Sequence, residues 1–301
     1  MNSKENNLLP SEPPQPSDPV PQSVETLPPS AFPAEEPAAP TAPEGPPIPE
    51  DLRTPWGWID LLTFVLVALC GAFLVSVILA AIFAGLGTSL AQLRSSASEQ
   101  SFFAVVNQGV LSLGLLAYLA VQVRLRAGTP FWRTIGWRPL KIRRMPGGLA
   151  YLAFVAGGLL LSAAVQFASG IAHPKGKLPI EMFFQDRRSA ILLMLLSVLL
   201  APVFEETVFR GYIYPVIARR FGVTASVVAT GILFGALHAP QLWGGWVQIA
   251  LLVLVGIVFT YARAATRTVV SSFLLHVSYN SFLLAAFLVS TQWLRVLPPG
   301  H

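Results

Sequence analysis

Long apolar runs separated by short polar or charged stretches make up most of this chain. The first spans about Trp58 to Leu86, the second Phe102 to Val123, the third Gly147 to Ala168 and the fourth Ala190 to Ile217. The fifth covers about Val223 to His238, the sixth Val247 to Ala264 and the seventh Val269 to Ser290. Most approach the ~20 residues that a helix needs to cross a bilayer, and the fifth falls short. The pattern predicts an all-α polytopic membrane helix bundle of about seven transmembrane helices. Trp56 and Trp58 stand where interfacial anchors of the first helix are expected.

Before the first run the pattern is different. Residues 1–50 hold 15 of the 26 prolines, together with most of the acidic residues. Such a composition cannot bury a core, so residues 1–54 are expected to form a disordered tail with polyproline II character. The tail reads first as solvated chain and second as a partner-binding segment. Residues 55–297 form the expected transmembrane domain.

Composition agrees with the pattern. Of 301 residues, 53% are hydrophobic and 12% charged, and mean hydropathy is +0.61. Soluble domains carry roughly 25% charged residues. The net charge of +5 does not point to nucleic acid, because the basic residues sit mostly at helix ends. Arg124, Arg126, Arg133, Arg138, Lys141, Arg143 and Arg144 follow the second run with no acid among them. The positive-inside rule then predicts a cytoplasmic N-terminus, with Arg219, Arg220, Arg263 and Arg267 on the same side, in a cell membrane of plasma or inner type. No secretory signal is visible near the N-terminus. The single cysteine, Cys70, builds neither a disulfide framework nor a metal cluster.

Ionisable residues inside apolar runs are costly, which makes them candidate functional groups. The fourth run contains Glu205, Glu206 and Arg210. Adjacent helical residues point ~100° apart, so the two acids face different surroundings. Glu206 and Arg210, four apart, share a face and suit an ion pair. That leaves Glu206 and Arg210 as orienting groups and Glu205 to face a cavity. Pro202 removes a backbone donor just before the pair and is expected to loosen the helix there.

The fifth run ends Phe234-Gly235-Ala236-Leu237-His238, and the seventh contains His276-Val277-Ser278-Tyr279-Asn280. At ~1.5 Å per residue, Glu205 lies roughly 21 Å from the Arg219 end of its helix and His238 roughly 22 Å from Val223. Asn280 lies roughly 18 Å and His276 roughly 12 Å above Thr268, so His276 comes out lowest by about one to two turns, and the depths still allow the groups to meet in one layer. Gly231 and Gly235 form a small-residue pair suited to close helix packing. His173 and His301, in a loop and at the last residue, are weaker candidates. These residues leave three classes open: a hydrolase, a non-catalytic scaffold that keeps its polar layer for folding, and a proton-coupled carrier.

Glu205-Glu206-x-x-x-Arg210, Phe234-x-x-x-His238 and His276-x-x-x-Asn280 resemble the three motifs of the CPBP intramembrane proteases. That family groups CaaX-processing endopeptidases with abortive-infection and bacteriocin-processing or immunity proteins. The resemblance covers about residues 100–290, with its motif core at 188–290. It implies hydrolysis of a peptide bond in a membrane-associated, prenylated or leader-peptide substrate. By that analogy Glu205 activates a water, His238 helps to hold it, and His276 and Asn280 stabilise the oxyanion. A non-catalytic immunity protein of the same fold is the alternative. Proteins of this family are often described as metalloproteases, and Glu205, His238 and His276 are the three residues that would ligate zinc. The absence of an HExxH helix favours a metal-independent glutamate mechanism with no cofactor.

Overall fold

The computed structural model of the protein describes residues 49–143, 145–171, 179–184 and 186–297. Most of the expected tail, together with Arg144, His173 and His301, lies outside them. All regular elements among the described residues are helical. In chain order they are α1 (Trp58–Gly85), α2 (Leu90–Ser95), α3 (Ala97–Ala127), α4 (Phe131–Thr134) and α5 (Gly147–Ile171). Then follow α6 (Arg187–Phe221), α7 (Val223–His238), α8 (Trp246–Thr266) and α9 (Val269–Ser290). Short 3₁₀ turns occur at Glu50–Leu52 and Pro179–Phe184. By length and composition α1, α3, α5, α6, α8 and α9 can cross a membrane, and α7 is a shorter apolar helix. The chain is therefore a multi-pass membrane bundle, as the seven apolar runs predict.

Polar side chains start the long helices. Asp186 accepts from the Ser189 amide at 2.9 Å at the head of α6, and Thr268 accepts from the Val270 amide at 3.2 Å at the head of α9. Each bond satisfies a donor that the first helical turn leaves open. Gly222 joins α6 directly to α7 at φ 82°, a conformation that other residues adopt at a cost.

Glycines set the helix spacing. A Cβ on Gly231 would come within 2.7 Å of the Ile257 amide nitrogen of α8, and one on Gly235 would collide with Val253. The Gly231–Gly235 pair thus brings α7 and α8 into backbone contact, which is its packing role. Gly158 does the same for α5, where a Cβ would strike the Leu275 carbonyl and the Ser278 hydroxyl of α9.

α6 is not a uniform α-helix. Two π-helical segments interrupt it, at Leu196–Leu200 and Thr207–Ile213. Each ends two residues before a proline, Pro202 in the first case and Pro215 in the second. The Ala201 amide bonds to Leu196 O and the Tyr214 amide to Phe209 O, both i→i−5. A proline ring clashes with the carbonyl four residues back, and a widened turn before it relieves that clash. The loosening expected at Pro202 takes this form, without a break in the helix.

One expectation needs correction. Trp58 is 46% exposed, as an interfacial residue should be, but Trp56 is only 2% exposed. Trp56 stacks on Tyr212 at 5.4 Å and donates Nε1–H to Tyr212 O at 3.0 Å, so it is a core residue. The basic connection between α3 and α5 also enters the bundle: Ile135 is 1% exposed, its carbonyl lies against Gly211, and the Gly136 carbonyl accepts from the Val269 amide at 2.9 Å. Trp137 donates Nε1–H to Thr207 Oγ1 at 3.0 Å. This stretch is wedged into the end of the bundle.

That same end gathers the basic residues of several helices. Arg219 donates to Thr54 O at 2.9 Å and to Trp56 O at 2.6 Å, and Arg263 pairs with Asp51 at 3.0 Å. Residues Glu50–Trp56 are thereby fixed to the helical unit.

Candidate active site

Behind the site lies a buried ion pair. Glu206 and Arg210 both have fully buried side chains, with Nη1 3.0 Å from Oε1. Arg210 also donates from Nε to Thr260 Oγ1 at 3.2 Å and from Nη2 to Gly256 O at 2.8 Å. The guanidinium carbon sits 4.6 Å from the Phe234 ring centroid, within cation–π range. One fork thus joins α6 to α8 and rests on α7. Thr260 went unremarked in the sequence, where a lone Thr in an apolar helix carries little signal.

His276 connects this base to the cavity. Its Nδ1 lies 2.8 Å from Glu206 Oε1. A carboxylate can only accept, so Nδ1 carries the proton and Nε2 faces the other way. His238 is arranged similarly, with Nδ1 2.8 Å from Phe234 O. A carbonyl also only accepts, so His238 Nδ1 is protonated and its Nε2 is free. Donation from the far nitrogen fixes tautomer and ring direction.

Both Nε2 atoms converge on one oxygen. Glu205 Oε2 lies 3.9 Å from His238 Nε2 and 3.8 Å from His276 Nε2. Among the described residues no side chain is within hydrogen-bonding distance of the Glu205 carboxylate. The three groups line a cavity of about 680 Å³ that also touches Asn280, Tyr279, Ser197 and Gln108. Phe234 and Phe259 wall the imidazoles, with centroids 4.9 Å from His238 and 5.0 Å from His276 respectively.

His276 and Glu205 meet in one layer, with His276 Nε2 3.8 Å from Glu205 Oε2. α9 starts at Val269, whose amide is tied to the Gly136 carbonyl.

Asn280 lines the cavity but is also engaged elsewhere. Its Nδ2 donates to Ser197 O at 2.7 Å. One amide hydrogen is therefore committed to the first π segment, and the second remains for a ligand.

Residues 187–282 match the family model described as type II CAAX prenyl endopeptidase Rce1-like. Over these residues the chain is similar to the Rce1-like proteases. The match runs from the start of α6 into α9 and includes Glu205, Glu206, Arg210, His238, His276 and Asn280. No curated protein and no solved structure matches the chain significantly. A protease domain within a helical membrane bundle implies a peptide substrate met in or at the bilayer.

The donor set of the Rce1-like domain can be tested against zinc. Tetrahedral bonds of ~2.0–2.2 Å hold neighbouring ligand atoms roughly 3.4 Å apart. The Glu205–imidazole separations of 3.8 and 3.9 Å are wider. Among the described residues no group of three His, Cys, Asp or Glu is arranged to hold a metal ion. The set as it stands does not fit zinc closely, and a water molecule suits the wider gap.

Proposed function

We propose that the Rce1-like domain is an intramembrane endopeptidase in which Glu205 activates a water for attack on a peptide carbonyl. The observation that carries this reading is the convergence of Glu205 Oε2 with the Nε2 atoms of His238 and His276 in one cavity. Three acceptors facing a common point suit a water that donates two hydrogens. Glu205 removes one proton as general base, and the resulting hydroxide attacks the carbonyl. The carboxyl then returns the proton to the departing amine.

The oxyanion needs donors aimed at it. The second amide hydrogen of Asn280 is one such donor, and His276 becomes another when Glu205 passes the proton it took from water to His276 Nε2, 3.8 Å away, which restores the Glu205 carboxylate until the proton returns through it to the amine. Glu206 and Glu205 on either side of the ring offer balancing charge. Glu206 and Arg210 hold the His276 ring in place.

The substrate in this reading is a prenylated protein C-terminus or a membrane-associated leader peptide. The basic end of the bundle faces the cytoplasm, in a plasma or inner membrane, with the N-terminus on that side. The scaffold reading accounts for Glu206 and Arg210, which are engaged by structure alone. It does not account for Glu205, a carboxylate held in a cavity without a hydrogen-bond partner among the described residues.

The test is Glu205→Gln in the purified full chain. The probe is a quenched-fluorescence peptide ending in a farnesylated cysteine, two aliphatic residues and methionine. Loss of cleavage by at least ~10³-fold with an unchanged unfolding midpoint is expected. Retained activity would remove Glu205 as the base. Activity lost to a chelator and restored by zinc would overturn the metal-independent mechanism.

A further inference from the structure

The hydrogen bonds of α6 leave the Ser197 carbonyl without its usual helical donor. In a regular helix it would accept from the Ala201 amide. That amide bonds instead to Leu196 O. The next residue, which a continuing π turn would use, is Pro202, and proline has no N–H. The Ser197 carbonyl is therefore stranded within its own helix. Asn280 Nδ2 reaches it from α9 at 2.7 Å.

We infer that Pro202 and Asn280 form a clamp that fixes the register of Glu205. Pro202 forces the widened turn, and the turn sets the direction in which the following residues project. Glu205 lies three residues beyond Pro202, facing the cavity, while Glu206 is turned to Arg210. The Asn280 amide supplies the donor that the proline withholds, and so joins α9 to α6 beside the carboxylate. His276 is one turn before Asn280 on α9, so a single hydrogen bond also sets the distance between Glu205 and the imidazole. Asn280 thus acts as a positioning residue through Ser197, in addition to the oxyanion role proposed above.

The chemistry of the clamp yields a specific rescue. In Pro202→Ala the restored N–H at 202 can donate to the Ser197 carbonyl. Asn280 is then no longer its sole partner. The positional part of an Asn280→Ala defect should shrink in the Pro202→Ala background, whereas a purely oxyanion-stabilising amide should be missed equally in both.

The experiment is a double-mutant cycle of Pro202→Ala and Asn280→Ala in the full chain in detergent micelles. Two readouts are taken: the unfolding midpoint, and kcat on the farnesylated peptide. Asn280→Ala is expected to lower the midpoint in the parent and to lower it by less than half as much beside Pro202→Ala. It is expected to lower kcat by about tenfold or more, with part of that loss recovered in the double variant. Equal midpoint shifts in both backgrounds would overturn the clamp, as would strictly multiplicative kcat losses. If Pro202→Ala does not fold, Pro202→Ser and Pro202→Val, which also restore the N–H, complete the cycle. The kcat arm rests on the protease reading. The midpoint arm does not, so a chain that cleaves no peptide would fail that reading while still testing the clamp.

Discussion

Replacing Arg210 by methionine isolates the cost of an unbalanced charge deep in the bundle. Methionine fills much of the same volume, so little cavity is expected. Arg210 donates to Glu206, Thr260 and Gly256 O, and the substitution removes all three hydrogen bonds. The Gly256 carbonyl is partly covered, because Thr260 Oγ1 donates to it at 2.7 Å. Thr260 gives up one hydrogen bond from a hydroxyl that stays bonded to that carbonyl. The damage therefore concentrates on Glu206, which is fully buried and keeps the His276 Nδ1–H donor at 2.8 Å but loses its cation. Breaking a buried pair from one side costs about 3–5 kcal/mol. Removing the cation–π interaction with Phe234 adds roughly 0.5–2 kcal/mol. Against a total stability on the order of 5–15 kcal/mol, such a change is severe. Glu206→Gln combined with Arg210→Met removes the stranded charge and should be less unstable than Arg210→Met alone. The departure from additivity should be about 2 kcal/mol or more. Arg210→Lys should also fail to restore stability, because one ammonium cannot reach Glu206, Thr260 and Gly256 as the fork does. Equilibrium unfolding in mixed micelles, followed by tryptophan fluorescence, reads the parent, the three single variants and the double variant. An Arg210→Met protein within ~1 kcal/mol of the parent, or a double variant whose effects simply add, would refute the argument.

Two further outcomes follow from packing and capping. Gly231→Ala should destabilise the chain by about 1–3 kcal/mol, because the added Cβ meets the backbone of Ile257. Gly114→Ala, where nothing lies within 4 Å, should be nearly neutral in the same unfolding measurement. At the head of α6, burial alone would raise the Asp186 carboxyl, but hydrogen bonds from Ser189 and Ser98 and the Arg188 charge together hold the pKa below the usual carboxylate value. A depressed carboxyl contributes stability that is present above its unfolded pKa and is lost as pH falls through the folded one. Asp186→Ala should thus lower stability by ~0.5–2 kcal/mol at neutral pH. The gap between it and the parent should close as pH drops below about 4. A difference that persists unchanged at pH 2–3 would show that the cap does not depend on the ionised carboxylate.

Hydropathy alone carried the element count, because a helix in lipid must be apolar along its whole length and as long as the bilayer is thick. Helical spacing also separated the two acids. Adjacent positions cannot share a face, and the i,i+4 spacing of Glu206 and Arg210 declared their pairing along the chain itself. The three motifs placed Glu205, His238 and His276 on separate helices.

What joined them was decided only in three dimensions. The sequence cannot say that Ile135–Trp137 wedges into the bundle, because its neighbours are arginines and such a loop ordinarily stays in water. Yet that wedge ties the first residue of α9, through the Gly136 carbonyl that accepts from the Val269 amide. Nor does one-dimensional periodicity reveal a π turn, since an extra residue per turn leaves composition unchanged. The proline at 202 was legible, but the partner of the carbonyl it strands was not. A hydrogen bond between residues 83 positions apart depends on how α6 and α9 are brought side by side. Local chemistry is written along the chain, whereas distance between helices is the joint outcome of every packed surface at once.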